Sequence, residues 1–298
     1  AQQAPVTRPA PASASPGNIT SGKLSEIREQ LPFLTEGQAQ DVAFAEARFS
    51  KPDGTGVLFT NGTGTGKTFT GLGAIYRAFH SGKKNILIVA PKQPIVDAWI
   101  KAGSKYFNLP IKRLEGMTDN GGEGIVVTTY ANLAGNQSLV ERNWDMLVMD
   151  EAHYLSSDQA GSDTNALKMT RALGQMSGSA YARVDALHPE IIRRIREIPG
   201  EIKALSGDEN RQYLVNALQK ELEQLDQRRS KLIGEEKDRL AKLPSEHRPR
   251  GLFLSATPFA YEKSVGWANG FLFDWGNDEG FVGYNSGGAY ERFMMQHF

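Results

Sequence analysis

Two short stretches of this 298-residue chain have the residue types and spacing for phosphate chemistry. The first is Asn61-Gly-Thr-Gly-Thr-Gly-Lys-Thr68. Gly62, Gly64 and Gly66 let the backbone N–H groups turn inward around an anion, with Thr63 and Thr65 between them. Lys67 would reach the β- and γ-phosphates of a nucleotide, and the Thr68 hydroxyl would sit on Mg²⁺. The second is Asp145-Met-Leu-Val-Met-Asp150-Glu151-Ala152-His153. Two adjacent carboxylates at a strand end point in different directions. Asp150 could therefore face a metal ion while Glu151 faces an attacking water, the arrangement that phosphoryl transfer to water needs. The first glycine of the generic G-x-x-x-x-G-K-[ST] loop is replaced by Asn61. Asparagine tolerates left-handed backbone angles, so the loop is expected to close.

These stretches need a scaffold that presents them on one edge. Gly56–Thr60, Asn85–Ala90, Gly124–Thr129, Asp145–Asp150 and Gly251–Ser255 are near-continuous apolar runs, as expected of strands covered on both faces. Helical patterns run from Leu24 to Phe49, interrupted near Pro32 and Gly37, from Thr68 to His80, and from Pro94 to Phe107. Alternating strand and helix predicts an α/β fold with a parallel, doubly wound sheet. Such sheets bind ligands outside the carboxyl ends of their strands, where both stretches fall.

Other segments read differently. Residues 1–20 are rich in Ala, Pro, Ser and Gln and nearly uncharged, the composition of a disordered tail or linker. Residues 21–154 would form the first part of the core. Over 155–250 the strand pattern gives way to a polar, charged, helical one. Leu214, Leu218, Leu222, Leu225, Leu232 and Leu243 keep roughly helical spacing, which predicts a long helix or hairpin inserted on the domain surface. Residues 251–298 return to the core and end in an aromatic-rich segment with Trp267, Phe271, Phe273, Trp275 and Tyr284, read as core packing with base stacking as the alternative.

Composition narrows the classes. Basic and acidic side chains number 34 each, so the chain is no wholesale polycation, although a local basic groove is compatible with that balance. The absence of cysteine removes disulfides and thiolate metal sites. No apolar run has bilayer-spanning length and no secretory signal opens the chain, so a cytoplasmic protein without membrane partners is expected.

Together these residues resemble the signature of superfamily-2 helicases and translocases, in their first RecA-like, ATP-binding domain. Asn61 to Thr68 is similar to motif I, and Asp150-Glu-Ala-His153 to a motif II of the DEAH type. Ser255-Ala-Thr257 is similar to motif III, Ala90-Pro91-Lys92 to motif Ia, and Thr128-Thr129-Tyr130 to the next nucleic-acid motif. Gln38 looks like the glutamine that reads the adenine edge, with Gln40 a weaker candidate. The resemblance implies a RecA-like P-loop NTPase that binds ATP and Mg²⁺ and works on nucleic acid, DNA rather than RNA. It implies that Pro91, Lys92 and Thr129 touch the nucleic-acid backbone. By the same resemblance His153 couples the nucleotide site to Ser255 and Thr257.

Two departures from that pattern carry expectations. Motifs II and III lie about a hundred residues apart, which makes 155–250 a long helical insertion within the motor domain. The family's second RecA-like lobe, with its arginine finger, is not found up to Phe298. Such a finger is worth about 10³–10⁵ in rate, so slow hydrolysis is expected until a second lobe joins in cis or in trans. An excerpt from a large phage or mobile-element protein fits both the linker and the absent lobe. A nucleotide-dependent assembly module, docking partners through the insertion, is the competing reading, although a pure switch has no need of Glu151. A P-loop kinase fits less well, because the Asp150-Glu151 pair suits water as the acceptor.

Overall fold

The computed structural model describes residues 21–61, 64, 66–156, 164–205, 209–258 and 266–272. The expected tail at 1–20 lies outside them, as do Phe273, Trp275 and Tyr284. The described strands are β1 (Gly56–Phe59), β2 (Ile86–Ala90), β3 (Ile111–Arg113), β4 (Ile125–Thr129), β5 (Met146–Asp150) and β6 (Arg250–Leu254). They form one sheet in the order β1-β6-β5-β2-β4-β3, with every pairing parallel. Around it lie α1 (Ser21–Gln30), α2 (Glu36–Phe49), α3 (Lys67–His80), α4 (Gln93–Phe107), α5 (Tyr130–Gly135), α6 (Asn165–Leu173), α7 (Ala180–Leu187), α8 (Pro189–Leu205) and α9 (Gln212–Lys242).

Both sheet faces are covered, which is why the strands read as unbroken apolar runs. On one face Val57, Ile88, Val127, Val148 and Leu252 pack with Leu72 and Ile75 of α3 and Val96 and Trp99 of α4. On the other, Leu87, Val126, Leu147, Met149 and Phe253 meet Leu133, Leu167, Met169, Trp267 and Phe271. Each fully buried side chain of this size contributes about 1.5–3 kcal/mol relative to exposure. The helical break before α2 falls at Pro32, but Gly37 lies inside the first turn. There a capping box offsets the glycine: Thr35 Oγ1 accepts from the Gln38 N–H at 3.3 Å and Gln38 Oε1 accepts from the Thr35 N–H at 3.0 Å. Sequence patterning passed over β3, whose three residues Ile-Lys-Arg carry two charges. Charged residues suit a short edge strand and erase its apolar signature.

The stretch between β5 and β6 is helical, but its parts differ. α6 belongs to the main core, with Ala166, Leu167, Met169, Ala172 and Leu173 buried. α7 bridges outward. Val184 packs with Ile233 and Leu240 of α9, and the buried Arg183 donates to Ala172 O at 2.8 Å and to Glu236 at 2.5 Å. α8 lies along α9, joined by the contact of Arg194 with Glu221 at 2.6 Å. The buried positions of α9 are Val215, Ile233 and Leu240. Of the leucines whose spacing predicted this helix, Leu214 is exposed and Leu218, Leu222, Leu225 and Leu232 are only half-buried. With 31 residues, α9 is about 46 Å long, meeting α8 along its first half and α7 along its second. Among the described residues no helix is long and apolar enough to cross a membrane.

Close approach of α3 to α4 depends on Gly71. A Cβ there would lie 2.6 Å from Trp99 Cη2 and 3.1 Å from Leu254 Cδ1. Gly71→Ala should therefore destabilise the fold by about 1–3 kcal/mol through overpacking. Chemical denaturation measures this, and an unchanged midpoint would show that Trp99 yields freely.

Candidate active site

The described candidate residues gather at the carboxyl edge of the sheet. β1 leads into the glycine-rich loop, β6 into Ser255, β5 ends at Asp150, β2 leads to Pro91 and Lys92, and β4 ends at Thr129. Because β6 runs between β1 and β5, Ser255 lies between the loop and the acidic pair. Gly62, Thr63 and Thr65 lie outside the described residues. Gly64 and Gly66 are both left-handed, at φ 81° and 79°, and Gly66 is the N-cap of α3. Lys67 Nζ donates to Asn61 O at 2.9 Å, so its ammonium reaches back across the loop. Thr68 is half-buried in the first turn of α3.

Asn61 holds its place differently from the expectation. Among the described residues the left-handed non-glycine positions are Asn108, Glu151 and Gln175. Asn61 is instead tied down by its side chain, whose Nδ2 donates to Asp41 Oδ2 at 2.6 Å. Burial raises the Asp41 carboxyl above its ordinary range and the Asn61 amide partly offsets this. Gln38, one turn earlier on α2, donates to Gly66 O at 3.4 Å. It thus touches the loop, whereas Gln40 is exposed and donates to Glu36 on its own helix. The sequence carried no signal for Asp41, because its role depends on α2 lying against the loop.

Asp150 is 7% exposed and its Oδ2 accepts from Trp99 Nε1 at 2.8 Å. Burial raises its carboxyl, the Trp99 bond opposes this, the Glu151 charge adds to the rise, and Lys67 pulls the other way. Nothing in the sequence marked Trp99 as a partner of Asp150, since α4 and β5 meet only in the fold. Glu151 is left-handed, with φ 54° and ψ 57°, a posture that costs a side-chain-bearing residue about 1–3 kcal/mol. His153 Nδ1 lies 3.2 Å from Ser255 Oγ and 3.3 Å from Glu151 Oε2. A histidine, a carboxylate and a fully buried serine therefore meet, although 102 positions separate His153 from Ser255. Thr257 is exposed and does not join this group.

The remaining candidates occupy the neighbouring strand ends. Lys92 is exposed at the N-cap of α4, and Pro91 is half-buried beside it. Thr129 is buried and caps α5 by accepting the Asn132 N–H at 3.3 Å, the role of an ordinary N-cap, while its own hydroxyl proton is not used in that bond. The next residue, Tyr130, donates its hydroxyl to Asp150 O at 2.8 Å.

The buried Asp150 charge has a consequence for stability. Its carboxyl is raised on folding, so the ionised form weakens the ligand-free fold. That cost is absent below the ordinary carboxylate range and grows as pH rises through the folded value. Asp150→Asn keeps an acceptor for Trp99 and deletes the charge. It should raise the thermal midpoint of the ligand-free chain near neutral pH, with the gain shrinking under acid conditions. A midpoint lowered at neutral pH would show that the carboxylate is not a burden there.

A structure titled "Sulfolobus solfataricus SWI2/SNF2 ATPase core in complex with dsDNA" has 23% sequence identity and a TM-score of 0.39, the match covering 46% of this chain and 29% of that one. No curated protein matches the chain. The family described as "Type III restriction enzyme, res subunit" matches residues 34–182, half of the 298 residues. That match spans Gln38, the glycine-rich loop, Pro91, Lys92, Thr129 and the acidic pair, and stops short of Ser255. The chain belongs to the type III restriction enzyme res subunit family, and its α/β core is a superfamily-2 helicase-type ATPase domain.

Proposed function

We propose that this chain is the ATP-hydrolysing lobe of a nucleic-acid motor of the DEAH type, acting on DNA and completed by a second RecA-like lobe. The observation that carries the reading is the buried Asp150 carboxylate, raised by desolvation and set opposite Lys67 and the glycine-rich loop. A carboxylate so placed suits a dication, and Mg²⁺ typically uses one or two protein ligands with phosphate oxygens and water. Thr68 and Asp150 would be those ligands. Among the described residues no group of three or more acidic or histidine side chains offers a different metal site.

ATP with Mg²⁺ supplies the phosphoryl group and the positive charge that draws electrons from it. Gly64 and Gly66, with Gly62, Thr63 and Thr65, cradle the phosphates with backbone N–H groups. Lys67 exchanges its bond to Asn61 O for phosphate oxygens and stabilises the charge that develops on them. Gln38, already against Gly66, orients the base. Glu151 orients a water and accepts its proton. His153, shared between Glu151 and Ser255, relays the state of the site to the end of β6.

Pro91, Lys92 and Thr129 form the nucleic-acid edge. Lys92 stands at the start of α4, where orphan N–H groups and the helix dipole favour a backbone phosphate. The family's name is that of a restriction enzyme subunit, which favours DNA over RNA. The tyrosine after Thr129 resembles that of translocases on double-stranded DNA as much as that of strand-separating helicases. The arm built by α8 and α9 would meet duplex or partner.

ATP hydrolysis by the purified chain, with and without single- and double-stranded DNA and RNA, tests this reading. We expect slow turnover, stimulated most by DNA. Glu151→Gln should reduce kcat by at least about a hundredfold while ATP still binds. ATP binding without turnover under every condition would favour a nucleotide switch, and no binding would end the proposal.

A further inference from the structure

Glu151 holds a backbone conformation that residues with side chains adopt reluctantly, and the chain offers no glycine there. Its φ is the rotation that sets Glu151 against the Asp150–Glu151 peptide plane. The carbonyl of that plane is Asp150 O, which accepts the Tyr130 hydroxyl at 2.8 Å in a buried setting. Tyr130 is itself immobilised. Its ring is 6% exposed and stacks on Tyr154 with centroids 5.4 Å apart and planes at 12°. Tyr154 in turn lies 4.8 Å from the His153 ring.

We propose that Tyr130 is a positioning residue for the acidic pair, its hydroxyl fixing the Asp150–Glu151 peptide so that Glu151 keeps its left-handed posture. Tyr130 directly follows Thr129 at the end of β4, and one side chain therefore spans the distance from the nucleic-acid edge to the peptide that precedes Glu151. A shift at the β4 end reaches Glu151 through this bond. The proposal rests on the motor reading for its kinetic consequence, but the geometric role stands without it.

Tyr130→Phe removes the hydroxyl and leaves the ring stack, and it is tested in the whole chain beside the wild type and Glu151→Gln. We expect kcat for ATP to fall about tenfold, with KM for ATP changed less than about twofold and stimulation by DNA diminished. A side chain that merely fills space would leave kcat untouched. Wild-type kcat in Tyr130→Phe, while Glu151→Gln is inactive, would overturn the proposal and leave the motor reading intact. A crystal structure of Tyr130→Phe gives a second readout that needs no activity. Glu151 is expected to leave the left-handed region, and a Glu151 unchanged in φ would overturn the positioning role. An inactive wild type would instead sink the motor reading, and the Glu151 geometry would still decide the role of Tyr130.

Discussion

The structure turns on a carboxylate kept almost out of water at the end of a central strand. An ionised group in that position is costly unless other groups compensate, and Asp150 is compensated from several directions. The Trp99 indole N–H binds its Oδ2, and Lys67 lowers its carboxyl from across the loop. Trp99 reaches Asp150 because α4 lies close on α3, and α3 leaves room for the indole by carrying Gly71. Helix packing on one face of the sheet is thereby tied to the charge at its edge. On the proposed motor reading, the desolvation that burdens the ligand-free fold would also strengthen the attraction of the site for a dication, trading stability for affinity.

Strand order explains how distant segments share that edge. β6 joins the sheet between β1 and β5, which sets Ser255 beside His153 and closes a path from the loop to the acidic pair. On the opposite side β4 presents Thr129 and Tyr130, and the tyrosine hydroxyl reaches the backbone of Asp150. Glu151 thus lies within a frame supplied from the ends of β6, next to β5, and β4, one strand further out. A strained residue persists only where its surroundings over-determine it, and here hydrogen bonds and stacked rings do so.

The hundred residues between β5 and β6 are accommodated without disturbing the sheet. α6 completes the core on one face, and only the helices beyond it project. The junction is electrostatic as well as apolar: Arg183 is buried, donates to the end of α6, and pairs with Glu236. Arg229 and Asp185 add a second, two-pronged pair at 2.9 Å, part exposed to solvent. Buried charges with few alternatives fix a helix in one register more than they stabilise it. The outer length of α8 and α9 is held by exposed pairs, which contribute little each.

Local signals along the chain specify the scaffold and the turns of the loop. Apolar runs such as Ile86–Ala90 and Met146–Asp150 can only be strands covered on both faces, and Gly64 and Gly66 supply left-handed turns before a helix. These signals are local, so periodicity and residue type suffice to read them. The edge strand Ile111–Arg113 escaped because exposure and charge removed its apolar signature, and the spacing of the α9 leucines marks a helix without saying which of its faces is covered. Only the tertiary structure decided that Asn61 is held by Asp41, that Trp99 serves Asp150, that Tyr130 grips the peptide before Glu151, and that Ser255 meets His153. Each of these pairs joins elements distant along the chain, and their proximity is set by strand order and helix packing, which no short stretch of sequence encodes.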